Sequence, residues 1–188
     1  MPTEDSIYRL QNFQVAFNDA PKSGYIVECG VGAGNTLKII TRLAAPKQRI
    51  FGFDSFEGLP EDWIMSDEVI VPAGSFKYDP PKIAGVELRK GWYKDTLPIW
   101  KREHTGRIAL LHIDSDLYSS AVTVLDELND QIVPGTVIVF DDMFETEQYQ
   151  NWQEGEHKAF EEWKQTYDRK SYMLCRGVLG QASFRIVQ

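Results

Sequence analysis

The sequence predicts an α/β domain, a seven-stranded and mostly parallel sheet with helices on both faces and a C-terminal antiparallel hairpin strand. Three observations carry this reading. Apolar runs alternate with helix-period segments along the chain. The runs at 108–113 and 136–140 are almost continuously apolar, as strands covered on both faces must be. The last two runs are separated only by Gly177 to Gln181, a hairpin spacing. At 188 residues, the chain is expected to be one domain over 1–188, with 1–20 forming a short N-terminal helix.

The elements follow in order. Ile7, Leu10, Phe13, Val15, Ala16 and Phe17 predict an amphipathic helix over 6–19 that covers a sheet edge or a ligand mouth. Residues 21–24 break it. A strand follows at 25–29, a helix at 35–45 stopped by Pro46, and a strand at 49–53. Residues 57–85 are rich in Gly and Pro and are expected to hold a short helix within a long loop. Next come a strand at 86–89, a helix within 95–103 with Pro98 in its first turn, and the strand at 108–113. A helix over 118–130 ends near Pro134-Gly135, before the strand at 136–140. A long helix over 153–167 precedes the hairpin strands at 171–176 and 182–187.

Composition narrows the function classes. A formal charge of −8 and a pI near 4.9 argue against partners that are nucleic acid or anionic membrane. No leader or apolar run of spanning length stands out. Cys29 and Cys175 sit in apolar runs and read as buried reduced thiols, which suits the cytoplasm.

The first candidate site is Tyr25-Ile-Val-Glu-Cys-Gly-Val-Gly-Ala-Gly34, an apolar strand, an acid and then Gly30, Gly32 and Gly34. Such a turn lets a ligand approach the backbone, and the following helix start offers free N–H groups. A second strand ends in Asp54-Ser55, where an acid can accept both hydroxyls of a ribose. The spacing, with Glu28 two residues ahead of Gly30, resembles the nucleoside loop of class I S-adenosylmethionine (SAM) methyltransferases, which are Rossmann-like. The resemblance implies that Glu28 and the glycine loop hold the amino-acid end of SAM. It also implies Asp54, with Ser55 beside it, at the ribose. Trp92, after the third strand, could line the adenine site or pack in the core.

The second candidate site is a set of acids. One apolar strand ends in His112-Ile-Asp114-Ser-Asp116, the next in Phe140-Asp141-Asp142. Ligands of open α/β sheets bind at these strand ends. Four carboxylates at close range repel one another unless protonated or bound to a cation, and oxygen donors suit Mg²⁺. The bland alternative is that these acids cap the helix after 116 or a turn after 142.

Here a family resemblance becomes specific. Asp114-Ser-Asp-Leu-Tyr-Ser-Ser120, Val133-Pro-Gly135 and Val137-Ile-Val-Phe-Asp-Asp142 resemble the macrocin O-methyltransferases, SAM- and Mg²⁺-dependent sugar O-methyltransferases. So do Asp54-Ser-Phe-Glu-Gly-Leu-Pro60 and Gly91-Trp-Tyr-Lys-Asp-Thr-Leu-Pro98. The family's usual Asp-Gly-Asp is here Asp114-Ser115-Asp116. The resemblance implies Mg²⁺ on Asp114, Asp141 and Asp142, SAM also close to Asp114, and Asp116 as base toward a small-molecule hydroxyl. Ligand and base roles at 114 and 116 can be exchanged. About 20 residues precede the first strand, fewer than is usual for the family, so a second subunit, as in a homodimer, could supply a lid.

Two other readings compete. One is a SAM-binding partner subunit without turnover; the other is a nicotinamide enzyme, which the glycine spacing disfavours. Among other residues, His112 is expected to bond to backbone, and His104 and His157 to be solvent-exposed. Phe144, Tyr149 and Trp152 are candidates for an aromatic wall around the acceptor.

Overall fold

The structure, a computed structural model, describes residues 4–188. The chain forms α1 (Glu4–Asp19), β1 (Tyr25–Cys29), α2 (Asn35–Leu43), β2 (Ile50–Asp54), β3 (Trp63–Ile64) and β4 (Ile70–Val71). These are followed by β5 (Val86–Lys90), α3 (Tyr93–Glu103), β6 (Ile108–Ile113), α4 (Tyr118–Leu128), β7 (Val137–Phe140), α5 (Glu156–Thr166), β8 (Ser171–Arg176) and β9 (Ala182–Ile186). Seven strands make one sheet in the order β5-β2-β1-β6-β7-β9-β8, and only the β9 pairings are antiparallel. The predicted sheet and its closing hairpin are present.

Strand alternation divides the core into two layers. Ile26, Ile50, Leu110, Val137 and Val139 face α1 and α2. Val27, Phe51, Phe53, Leu111, Ile113, Ile138 and Phe140 face α3, α4 and α5, where Leu97, Trp100, Leu125, Phe160 and Trp163 meet them. Each such fully buried side chain contributes about 1.5–3 kcal/mol. Helix α1 buries Asn12, Phe13, Ala16 and Phe17, and Ala20 just beyond its end is buried as well. Ile7 and Val15 lie on its exposed side, so its buried stripe is narrower than the apolar pattern suggested.

Four expectations need correction. Residues 57–85 contain no helix; Trp63–Ile64 and Ile70–Val71 pair instead as a two-stranded antiparallel ribbon. Helix α3 begins at Tyr93, because the Trp92 carbonyl accepts from the amides of Asp95 and Thr96, so Pro98 falls beyond the first turn. His104 is buried, its ring stacked on Trp100 at 5.2 Å and bonded through Nδ1 to the Trp100 carbonyl. Cys175 is only half-buried, since β8 is an edge strand; Cys29 is fully buried.

The predicted helix over 153–167 is interrupted. A 3₁₀ turn at Trp152–Glu154 precedes Gly155, and α5 starts only at Glu156. A Cβ on Gly155 would stand 1.9 Å from the Tyr149 hydroxyl, so a side chain there would have to displace the buried Tyr149. Among the described residues, no helix is long and apolar enough to cross a membrane.

Candidate active site

The site is built on staggered strand ends. The Gly30 amide donates to the Phe53 carbonyl at 2.9 Å, Asp114 to Cys29 at 2.9 Å, and Asp141 to Ile113 at 3.0 Å. Each loop therefore leaves the sheet with its backbone fixed by the neighbouring strand. Gly30 is required for this. With φ +97°, it lies so close to the Asp114 backbone that a Cβ would fall 1.6 Å from the Asp114 carbonyl oxygen. The three loops surround one cavity of about 550 Å³ at the carboxyl ends of the central strands.

On one side the cavity is lined by Gly30, Val31, Gly32, Asp54, Ser55 and the start of α2 at Asn35 and Thr36. Asp54 organises this half. Its Oδ2 accepts from the amides of Val31 (2.9 Å) and Gly32 (2.8 Å), and its Oδ1 accepts from the Phe56 amide (2.6 Å). Trp63, Phe76, Tyr78 and Trp92 supply aromatic lining. Gly34 lies outside the lining, under Pro81 and Ile83.

The other side carries Asp114, Asp116, Asp141 and Asp142. One oxygen each from Asp114, Asp116 and Asp142 lie within 4.8 Å of one another. A His112 ring nitrogen with Asp114 and Asp141 forms an overlapping group at the same spacing. Capping of α4 does not explain Asp114 and Asp116, since the N-terminus of α4 has Leu117 as its cap residue and no side-chain cap bond. Asp116 holds a left-handed backbone, φ 61°, rare for a residue with a side chain.

Burial raises the pKa of all four acids, and carboxylate neighbours add to it at Asp114, Asp116 and Asp142. Asp116 is pushed up to about 7 by burial and by Asp141, partly offset by a hydrogen bond with Asp142. Asp141 is raised less freely, because the guanidinium of Arg9 counteracts its burial.

Two residues of this half carried no signal in the sequence. Glu156, at the start of α5, is fully buried. Its Oε1 accepts from the Ser115 amide (2.9 Å) and hydroxyl (3.1 Å), and its Oε2 from the Asp142 amide (3.2 Å). It thereby ties the β6 and β7 loops together, and burial lifts its pKa to about 8. Arg9 of α1 lines the cavity, hydrogen-bonds Asp141 and comes within 3.9 Å of Asp114.

Glu28 does not reach the cavity. It is fully buried beneath α1, with Oε1 3.0 Å from Nδ1 of His112, itself buried against the Phe13 ring. Glu28 and His112 are register partners on adjacent strands, so their side chains leave the same sheet face, away from the loop. Burial raises the Glu28 pKa well above the usual range and lowers that of His112 to about 3, so His112 is uncharged near neutrality and the charged form of Glu28 is disfavoured. The expected His112 bond to backbone is thus a side-chain bond. Tyr149 packs against Trp63 at 5.1 Å, and Phe144 and Trp152 pack against each other at 5.5 Å, all three outside the cavity lining. His157 stands edge-on to Trp152 and is half-buried rather than exposed.

A glycine-loop strand end facing a second strand-end acid, within a seven-stranded sheet closed by an antiparallel β9, defines a class I methyltransferase fold. Residues 74–167 match the family described as Macrocin-O-methyltransferase (TylF), and the chain belongs to that family. It is 28% identical over 160 residues to the 8-demethyl-8-(2,3-dimethoxy-alpha-L-rhamnosyl)-tetracenomycin-C 4'-O-methyltransferase of Streptomyces olivaceus. That match covers 71% of this chain and 59% of that protein, so the chain spans under two thirds of that relative's length. The crystal structure of the calicheamicin methyltransferase CalS11 superposes with a TM-score of 0.72, at 22% identity, over 96% of this chain and 78% of that one. The O-methyltransferase NovP gives 0.65 at 21% identity, over 97% and 81%. These structures share the fold.

Proposed function

We propose that this chain is a SAM-dependent O-methyltransferase that acts on a hydroxyl of a sugar or glycosylated small molecule, with a divalent cation of the Mg²⁺ type. One observation carries the reading: the ribose-type acid Asp54, the glycine loop and four acids from two strands share a single cavity. The printed activity of the Streptomyces olivaceus relative, a 4'-O-methyltransferase of a rhamnosyl tetracenomycin, supports it.

The residues divide the work as follows. Amides of the Gly30–Gly32 turn and of the α2 start receive the amino-acid end of SAM, and Asp54 accepts from the ribose hydroxyls. Ser55 and Trp92 border the same half. Asp114, Asp141 and Asp142 hold the cation: an Asp114 oxygen lies within 4.8 Å of one from Asp142 and, in the overlapping group, of one from Asp141, and carboxylate oxygens suit a hard divalent ion. Such an ion would lower the pKa of an acceptor hydroxyl held there. Asp116 takes the hydroxyl proton while the oxygen forms its bond to the methyl carbon and the sulfur–carbon bond breaks. Without the ion, burial and Asp141 push the Asp116 carboxyl up to about 7; a cation on its neighbours would favour the ionised form that accepts the proton. The aromatic lining of Trp63, Phe76 and Tyr78 suits a sugar ring or an apolar aglycone.

The test is single-turnover transfer from labelled SAM to a panel of free sugars, nucleotide sugars and rhamnosylated aglycones, with Mg²⁺ or with chelator. Mg²⁺-dependent labelling of a sugar oxygen is expected. SAM binding without transfer to any hydroxyl would instead mark a partner subunit.

A further inference from the structure

Arg9 is not used by the proposed chemistry, yet its guanidinium reaches into the acid cluster. It hydrogen-bonds Asp141, which is buried, and lies 3.9 Å from Asp114, with its own side chain 31% exposed. The arginine comes from α1, whose packing on the sheet is fixed by Phe13, Ala16 and Phe17 one to two turns further on. Position 9 is therefore carried to the mouth of the site by a docked helix.

From this geometry we propose that Arg9 is a built-in counter-cation of the carboxylate cluster and that a divalent ion must displace it from Asp141 to bind. The inference rests on the cation reading above. A guanidinium and a divalent ion both seek the Asp114 and Asp141 oxygens, and two positive centres a few ångströms apart repel each other. A carboxylate already bonded to arginine must also exchange a charge-assisted hydrogen bond for a metal contact. Arg9 thus holds the acids together when no ion is bound and weakens the ion's apparent affinity.

Calorimetry with Mn²⁺ on the full chain, with and without SAM, tests this. Removing the competing charge in Arg9→Gln should tighten Mn²⁺ binding roughly tenfold or more. Arg9→Lys, which keeps the charge, should stay closer to wild type. Arg185→Gln removes a cation that bonds Asp19 at the far end of α1, and it should leave the affinity unchanged. Equal Mn²⁺ affinity in wild type and Arg9→Gln overturns the inference but leaves the cation reading intact. Absence of Mn²⁺ binding in both overturns the two together. A measurement independent of any variant is amide exchange over residues 7–11 of the wild-type chain. Mn²⁺ should speed it as Arg9 is released, and unchanged or slower exchange counts against displacement.

Discussion

The two halves of the cavity are built on opposite principles. On the glycine-loop side, charge is met by backbone: Asp54 accepts three amide hydrogens, from Val31, Gly32 and Phe56, before any ligand arrives. On the acid side, four carboxyls and Glu156 crowd together, with only Arg9 hydrogen-bonded into the cluster as a cation among the described residues. The first half is a finished receptor whose shape depends on short hydrogen bonds. The second is electrostatically strained, and its raised pKa values register that strain. Such a difference suits a site in which one half only binds, while the other must bind a cation and move a proton.

Breaking the joint between the halves has the largest expected effect. Gly30→Ala puts a methyl into the Asp114 carbonyl and strains a left-handed backbone, so stability should fall by more than ~4 kcal/mol in denaturant melts. A small loss would mean that the two loops separate more easily than their contact implies.

Next is a change confined to the acid half. Asp116→Asn should retain SAM and Mg²⁺ binding yet lose roughly 10²–10⁴-fold in single-turnover methyl transfer. If Mg²⁺ binding vanishes along with turnover, Asp116 is a ligand and Asp114 becomes the base. A wild-type rate removes Asp116 from both roles.

The matching change in the other half is Asp54→Ala. It takes an acceptor from three amides and from the ribose, and it should weaken SAM binding by roughly 10–100-fold in calorimetry. Mg²⁺-dependent thermal stabilisation should persist, because the acid half is untouched. Parallel loss of both would show that the halves do not act separately.

The smallest effect concerns the buried pair beneath α1. The folded chain keeps Glu28 protonated where the unfolded chain ionises it, so its contribution to stability is lost as pH rises above the usual carboxylate range. His112 works in the other direction. It stays neutral down to about 3, and its contribution is lost as pH falls below 6.5. Glu28→Gln mimics the neutral acid, so the fall in stability from about pH 5 to about pH 8 should be shallower by about 1.4 kcal/mol per unit of pKa shift removed. An unchanged slope would mean that Glu28 is ionised in the fold.

What the sequence revealed follows the same division. Strands such as 108–113 and the hairpin at 171–186 were legible because long apolar runs and turn spacing are local properties. The four aspartates were legible because strand ends of an α/β sheet converge by topology alone. Arg9 and Glu156 were not, since single charged residues on helices look like solvated surface until the helix is docked. Glu28 misled for the converse reason. Its position in the strand matched a ligand-binding motif, but strand alternation aims its side chain beneath α1 rather than toward the loop. The β3–β4 ribbon has two residues per strand, too short for any period to emerge.

The contact between Gly30 and the Asp114 backbone has one more consequence. Because the glycine turn and the first acid share a wall with no side chain between them, neither loop can shift without pressing on the other. A ligand that fixes the position of one loop therefore helps to fix the other. The nucleoside and the cation should then bind with positive thermodynamic coupling, each raising the other's affinity by the same factor, as linkage requires.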